Sequence, residues 1–318
     1  MSHEGPPTFA ERVRAIPGGE HLEMCYACGT CVSKCLIQQK VEPEYNPRRL
    51  LRLVMMGREA DAYRSPTTWL CSQCDLCYPA CPQQIHISGV IAAVRQLALE
   101  AGYASPLEAV SVDETLCSGC GICVMACPYW APRLVEKEVD GQLDRFAEVN
   151  ANVCMGCGIC VSACPLGAIS RPGVSNQEIV AQIEVEEANG APTLVVFVCD
   201  WCLRETDDVA LLEAYPSNVR VIHIPCSGRA DPQMALLALR AGIDGVLVCG
   251  CAPGECHFVR GTYVSSCKIG LLNRMFEQMA IDDGRVRFVQ IGTQDRGRIR
   301  HEVDVMLQAL AARKEERS

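Results

Sequence analysis

The pattern of apolar and polar positions changes twice along the 318-residue chain. In the first third, apolar residues recur at helical spacing. Leu50, Leu51 and Val54 share one face of "PRRLLRLVMMG", with Asn46 as cap, Pro47 in the first turn and Gly57 as stop. A second helix is predicted over "SGVIAAVRQLALEAG", capped by Ser88 and closed by Gly102. In the middle third, cysteines interrupt the pattern, and the spacer "VDGQLDRFAEVN" suits a small hairpin. A helix over "SNQEIVAQIEVEEANG" follows, with Ser175 and Glu178 as a capping box and Gly190 as stop. From about Pro192 the rhythm becomes short apolar runs: "TLVVFV" (193–198), "VRVIHI" (219–224), "GVLV" (245–248) and "VRFVQI" (286–291). They alternate with helix candidates: "ADPQMALLALRAG" with Asp231 as cap and Gly242 as stop, then "KIGLLNRMFEQMAI" and "HEVDVMLQALAARK". Continuously apolar strands between helices predict a parallel sheet covered on both faces.

Composition narrows the chemistry. The formal charge of -9 lacks the basic footprint that nucleic acid requires. No apolar run reaches signal-peptide or membrane-spanning length, so a cytoplasmic protein without a membrane span is expected. There are 23 cysteines. In a reducing compartment they point to metal rather than to disulfides.

Sixteen of them fall in four copies of C-x2-C-x2-C-x3-C: "CYACGTCVSKC" from Cys25, "CSQCDLCYPACP" from Cys71, "CSGCGICVMACP" from Cys117 and "CMGCGICVSACP" from Cys154. This is the bacterial ferredoxin run, in which three thiolates hold one cubane and the fourth reaches the partner cluster. Zinc, held by two C-x2-C pairs or by Cys with His, does not suit three-plus-one spacing. The crossing rule assigns Cys25, Cys28, Cys31 and Cys81 to one [4Fe-4S] cluster, and Cys71, Cys74, Cys77 and Cys35 to a second. Cys117, Cys120, Cys123 and Cys164 take a third, and Cys154, Cys157, Cys160 and Cys127 a fourth. The glycines at 119, 121, 156 and 158 let backbone amides approach the sulfurs. Leu36 stands where the other three motifs have proline.

The seven remaining cysteines lie in the last third. Cys199 and Cys202 follow the first strand, Cys226 the second, Cys249 and Cys251 the third; Cys256 sits in a loop and Cys267 at the start of a helix. Ligand sites in open parallel sheets form beyond the carboxyl ends of strands, so a metal site is expected there. Spacing alone leaves zinc and [2Fe-2S] equally open. Trp201, His257 and Phe258 would shield the site, without being needed as ligands.

"VFVCDWC", "IPCSGR", "DGVLVCGCAPGECHF" and "RGTY…LLNRMF" together resemble the delta subunit of methyl-viologen-reducing hydrogenase, over roughly 192–310. The resemblance implies a [2Fe-2S] cluster held by four of Cys199, Cys202, Cys226, Cys251 and Cys256. "CAP" replaces the family's "CHP", so Ala252 offers no imidazole. "CYACGTCVSKC…NPRRLLR…WLCSQCDLCYPACP" resembles the C subunit of heterodisulfide reductase. "CSGCGICVMACPYWAP…CMGCGICVSACPLGAI" resembles the C-terminal ferredoxin domain of that enzyme's A subunit.

The expected fold is α+β and multi-domain. A helical two-[4Fe-4S] domain spans 1–104, a ferredoxin-like two-[4Fe-4S] domain 105–190, and an α/β parallel-sheet [2Fe-2S] domain 191–318. The resemblances imply an electron-transfer subunit with four [4Fe-4S] clusters and one [2Fe-2S] cluster. Its expected partners are a flavin-containing protein resembling the A subunit of heterodisulfide reductase, which would split electron pairs, and a hydrogenase, formate dehydrogenase or other donor or acceptor. No dinucleotide site is expected, because no strand is followed by G-x-G-x-x-G. With no Cys-Cys pair like that of the reductase's catalytic subunit and no mark of a nickel, molybdenum or tungsten site, substrate chemistry is expected to belong to other subunits. Two other classes stay open: a thiol–disulfide oxidoreductase acting through Cys202 or Cys256, and a redox-sensing iron–sulfur protein.

Overall fold

The computed structural model describes residues 6–40, 42–139, 141–183, 191–202, 215–281, 284–292, 295 and 297–317. The chain divides into two compact units, Met1–Leu107 and Glu108–Ser318.

The described residues of the first unit are helical: α1 (Phe9–Arg14), α2 (Thr30–Ser33), α3 (Leu36–Lys40), α4 (Pro47–Met55), α5 (Glu59–Arg64), α6 (Pro66–Leu70) and α7 (Ile87–Glu100). Asn46 caps α4 as the pattern predicts, its Oδ1 accepting from the Arg49 amide at 2.9 Å. Leu50, Leu51 and Val54 are buried on the apolar face of α4. The predicted cap of α7 is corrected: the helix starts at Ile87 with His86 at the cap position, and Ser88 lies inside the first turn. Its hydroxyl donates to Asp75, a bond that reaches across to the second cysteine loop. Trp69, on α6, donates its indole N–H to the Tyr63 carbonyl at 2.8 Å and fills the space beside α7.

The second unit opens with a ferredoxin arrangement. Strand β1 (Ser111–Val112) pairs antiparallel with β4 (Ile169–Ser170), and between them lie α8 (Ile122–Ala126), the hairpin β2 (Pro132–Val139) and β3 (Gln142–Val149), and α9 (Ile159–Ala163). The hairpin falls on the predicted spacer, in register from Pro132↔Val149 to Val139↔Gln142. Helix α10 (Asn176–Gln182) carries the predicted Ser175–Glu178 capping box. It ends at Gln182 with Ile183 as its C-cap, short of the predicted stop, and Gly190 lies outside the described residues.

A four-stranded parallel sheet follows, in the order β6-β5-β7-β8: β5 (Leu194–Cys199), β6 (Val219–Ile224), β7 (Gly245–Cys251) and β8 (Val286–Ile291). The central strands β5 and β7 are buried at every position, whereas the edge strands are partly exposed. One face packs Val195, Phe197, Ile222 and Val248 on α11 (Pro232–Arg240) and α12 (Gly261–Gln278). The other packs Val196, Leu247 and Cys249 on Val303 and Met306 of α13 (Arg298–Arg317). Strand β7 runs three residues beyond its predicted end, so Cys249 and Cys251 lie within it rather than after it. Gly250 makes the extension sterically possible, since a Cβ there would come within 2.8 Å of the Phe288 ring. Helix α12 begins at Gly261, so Cys267 lies well inside it and is exposed. Among the described residues no helix is long and apolar enough to cross a membrane.

Candidate metal centres

All 23 cysteines are free thiols. In each of the four C-x2-C-x2-C loops, the two residues flanking the second cysteine take left-handed backbone angles. These are Ala27 (φ 61°) and Gly29 (87°), Gln73 (54°) and Asp75 (59°), Gly119 (64°) and Gly121 (76°), and Gly156 (64°) and Gly158 (77°). Successive amides then point into the concave side of the loop, which favours a negatively charged guest. The conformation is easy for glycine but costs Ala27, Gln73 and Asp75 about 1–2 kcal/mol each. Asp75 is held by Ser88 and by His86 Nε2 at 3.2 Å. No residue type marks these three positions in the sequence, because glycine is the usual residue for a left-handed backbone.

The loops bring the cysteines together in fours. Cys25, Cys28, Cys31 and Cys81 line one cavity, Cys117, Cys120, Cys123 and Cys164 a second, and Cys127, Cys154, Cys157 and Cys160 a third. Cys35 joins Cys71, Cys74 and Cys77 closely enough for their charges to be felt mutually. Burial first, and then neighbouring thiols, pushes Cys31 up to about 11; burial also pushes Cys74 to about 11 and Cys157 to about 12. Thiolates crowded this way are penalised until a cationic core sits between them, so the donor sets fit iron–sulfur clusters. Amide-to-sulfur bonds are in place as well, from Ala147 to Cys117 Sγ at 3.4 Å and from Ala168 to Cys164 Sγ at 3.3 Å.

Tyr45 contributes as well, although no short pattern of residues points to it. It is buried, and its hydroxyl bonds to Cys71 and Cys35; burial and then the surrounding thiols hold it above the usual phenol range. Arg95 fixes the start of the same loop, donating to the carbonyls of Thr68, Trp69 and Cys71 at 2.8 Å each. In the first loop Arg48 bonds the Ala27 carbonyl at 3.5 Å, and Cys28 is exposed, its thiol lowered chiefly by the Thr30 hydroxyl.

At the carboxyl edge of the parallel sheet the sulfurs of Cys199, Cys202 and Cys251 lie within 4.8 Å of one another, with Cys202 to Cys251 at 3.9 Å. Cys226 bonds to both Cys199 and Cys256, which extends the group to five. Gly261 leaves room for it, because a Cβ there would overlap Cys226 Sγ. Cys199 is the central sulfur, lowered first by Cys202 and then by Cys226 and Cys251. Cys256, less enclosed, is lowered to about 6, mainly by Cys226. Cys249 is buried and faces Glu302; burial is the first cause holding its thiol above the usual range. Its carbonyl accepts from Cys202 Sγ at 3.7 Å. Trp201 stacks on His257, with the planes 17° apart, and both meet Phe258 edge-on. Burial lowers His257 to about 3, so its ring is neutral at physiological pH. Four soft, buried thiols in reach of one another fit either metal considered from spacing.

The methyl-viologen-reducing hydrogenase delta subunit family matches residues 194–312. Two 4Fe-4S dicluster domain families match residues 116–169 and 21–85. The iron-sulfur D subunit of the F420-non-reducing hydrogenase of Archaeoglobus profundus is 39% identical over 98 residues, which is 30% of this chain and 72% of that protein. The A subunit of the ferredoxin:CoB-CoM heterodisulfide reductase of Methanosarcina mazei is 33% identical over 132 residues, 40% of this chain and 17% of that protein. The C subunit of the H(2):CoB-CoM heterodisulfide,ferredoxin reductase of Methanothermobacter marburgensis is 33% identical over 98 residues, 31% of this chain and 51% of that protein. The chain thus spans less than a fifth of the A-subunit relatives it matches.

Proposed function

The chain belongs to the methyl-viologen-reducing hydrogenase delta subunit family through residues 194–312, and on that basis we propose that it is an electron-relay component of a heterodisulfide-reductase-like complex. In this reading it fuses three parts: a helical domain like the reductase's C subunit, a ferredoxin domain like part of its A subunit, and a sheet domain like the hydrogenase delta subunit. The observation that carries it is the group of five thiols at the carboxyl edge of the sheet, in the same compact unit as a two-cluster ferredoxin arrangement. Four [4Fe-4S] clusters take the four sets of cysteines, and a [2Fe-2S] cluster takes four of Cys199, Cys202, Cys226, Cys251 and Cys256. The clusters supply one-electron redox capacity. The protein's own residues hold the sulfurs, aim amides at them and keep water away. The complex would couple a hydrogenase- or formate-dehydrogenase-type donor to a flavoprotein that divides electron pairs.

Anaerobic purification of the native complex tests this. The expected result is a flavoprotein partner and about eighteen iron atoms per chain, the content of four cubanes and one [2Fe-2S]. About sixteen would remove the fifth cluster. Cys249→Ser and Cys267→Ser are expected to leave the iron content unchanged, since both lie outside the ligand set; iron loss in either would redraw that set.

One observation favours a second reading. The Cys256 thiol is the least enclosed of the five and is lowered to about 6, chiefly by its bond to Cys226, which favours the thiolate that attacks a disulfide. Disulfide reduction by the purified chain, without added partners, would support it.

A further inference from the structure

The four cubane loops differ in what lies against them. In the Cys154–Cys160 loop, a Cβ on Gly158 would lie 2.8 Å from Arg229 Cδ, and one on Gly156 would lie 3.2 Å from Arg171 Nε. Lys268 Nζ donates to both the carbonyl and the hydroxyl of Ser162 on α9, each at 2.8 Å. At the matching positions of the Cys117–Cys123 loop, Gly121 faces Leu134 Cδ1 and Gly119 faces the backbone and Cβ of Arg145. Met125, which corresponds to Ser162, is exposed. Three cationic side chains therefore pack on one loop of the ferredoxin pair, whereas the nearest atoms at the matching glycines of the other are a leucine methyl and the backbone and Cβ of Arg145.

These cations make no direct ion pair, although Asp231 lies near enough to Arg229 and Lys268 for its charge to be felt. Arg229 is fully buried and is met by neutral groups: the Val174 carbonyl at 2.9 Å, Asn176 Oδ1 at 2.8 Å and the Met234 sulfur at 4.0 Å. Arg171 Nε is buried with no hydrogen-bond partner. Among the described residues no carboxylate forms an ion pair with Arg171, Arg229 or Lys268. Burying a cation is costly without a nearby anion. Burial pulls both Arg229, to about 10, and Lys268 down; Asp231 and then Cys160 are the negative sites that Arg229 feels, and Asp231 the one that Lys268 feels. A cubane with four thiolates carries net negative charge and would add to what Asp231 offers on the side of the loop where these cations pack.

We propose that Arg171, Arg229 and Lys268 are positioning residues that raise the reduction potential of the Cys127–Cys154–Cys157–Cys160 site above that of its ferredoxin partner. The proposal rests on the cluster assignment above. One electron, delivered by a neighbouring reduced centre or by dithionite in the test, oxidises its donor and makes the site one unit more negative. No bond forms or breaks. Burial of Cys154, Cys157 and Cys160, against an exposed Cys120, opposes that extra charge. The cations favour it. At an effective dielectric of about 20, one unit charge about 10 Å away shifts such an equilibrium on the order of tenfold. Three of them act in the same direction, so in this reading electrons collect on the cubane whose loop packs against Arg229 and Lys268.

The test is a spin-quantified EPR redox titration of the full cluster-loaded chain, with Lys268→Gln and Arg171→Gln. Each is expected to lower the reduced-to-oxidised ratio of one cubane about tenfold at a fixed poise, which is about 59 mV for one electron. The other three cubanes should not move, and Lys268→Arg should restore the wild-type curve. Superimposable curves, or an equal shift of every cubane, would overturn the proposal. Iron content separates the two readings. Fewer than four cubanes in the wild type refutes the cluster assignment, whereas four cubanes with unmoved potentials refutes the tuning alone.

Discussion

Cys251→Ser is expected to lower iron from about eighteen to about sixteen atoms per chain and to leave all four cubanes in place. Cys251 sits at the last position of β7, with Cys199 and Cys202 close by. Serine keeps the shape but offers a hard, protonated oxygen in place of a soft thiolate, which is a poor ligand for iron. Electron passage from a hydrogenase-type donor to the cubanes should fall on the order of a hundredfold or more, since even changes behind the ligands of a metal site cost about 10–100-fold. Some destabilisation should accompany the loss. The new hydroxyl is buried, and an unsatisfied buried donor costs about 1–3 kcal/mol. Metal analysis and absorption spectra of the variant decide the matter. Retention of about eighteen iron atoms would make Cys251 the surplus thiol of the five.

Cys127→Ser should remove a cubane that Cys127's own motif does not hold. Cys127 ends α8 yet lines the cavity of Cys154, Cys157 and Cys160. Iron should fall by about four atoms. After brief denaturation, a thiol-alkylating reagent should label Cys154, Cys157 and Cys160 in the variant. Cys117, Cys120, Cys123 and Cys164 should stay protected. The reverse labelling pattern would show that the crossing assignment is wrong. Loss of this cubane also removes negative charge beside Arg171, Arg229 and Lys268, leaving Asp231 as the carboxylate that Arg229 and Lys268 feel. Removing one partner of a buried charge pair costs up to about 3–5 kcal/mol, so this variant should melt below Cys120→Ser, whose loop lacks those cations.

The strands of the sheet and the hairpin between the ferredoxin motifs were legible because period and β-branching are local signals. So were the caps at Asn46, Ser175 and Asp231, each a side-chain acceptor followed by helix-compatible residues. Ser88 misled because serine next to an apolar run reads as a cap, whereas its hydroxyl is used by Asp75 thirteen positions away. The end of β7 was missed because Cys249-Gly250-Cys251 looks like a loop; only packing against Phe288 and Ser227 shows why glycine belongs in that strand. The sixteen motif cysteines announce themselves by spacing. Tyr45, Arg95 and Arg229 do not, since each reaches its loop from elsewhere in the chain and no short pattern encodes the encounter.

The sulfurs at the edge of the sheet come from positions as far apart as Cys199 and Cys256, on separate parallel strands and the loop beyond. Parallel pairing forms late, because each crossover must close before its contacts form. A cubane loop gathers three of its four sulfurs within seven residues of chain. The two kinds of site therefore mature on different clocks. On the proposed assignment the motif loops bring three ligands together over a short stretch of chain, whereas the sheet-edge site needs β5, β6 and β7 docked and residue 256 in place. A scaffold that delivers iron to this chain would meet the sheet-edge site last, and the sheet's own folding rate would set the pace of its completion.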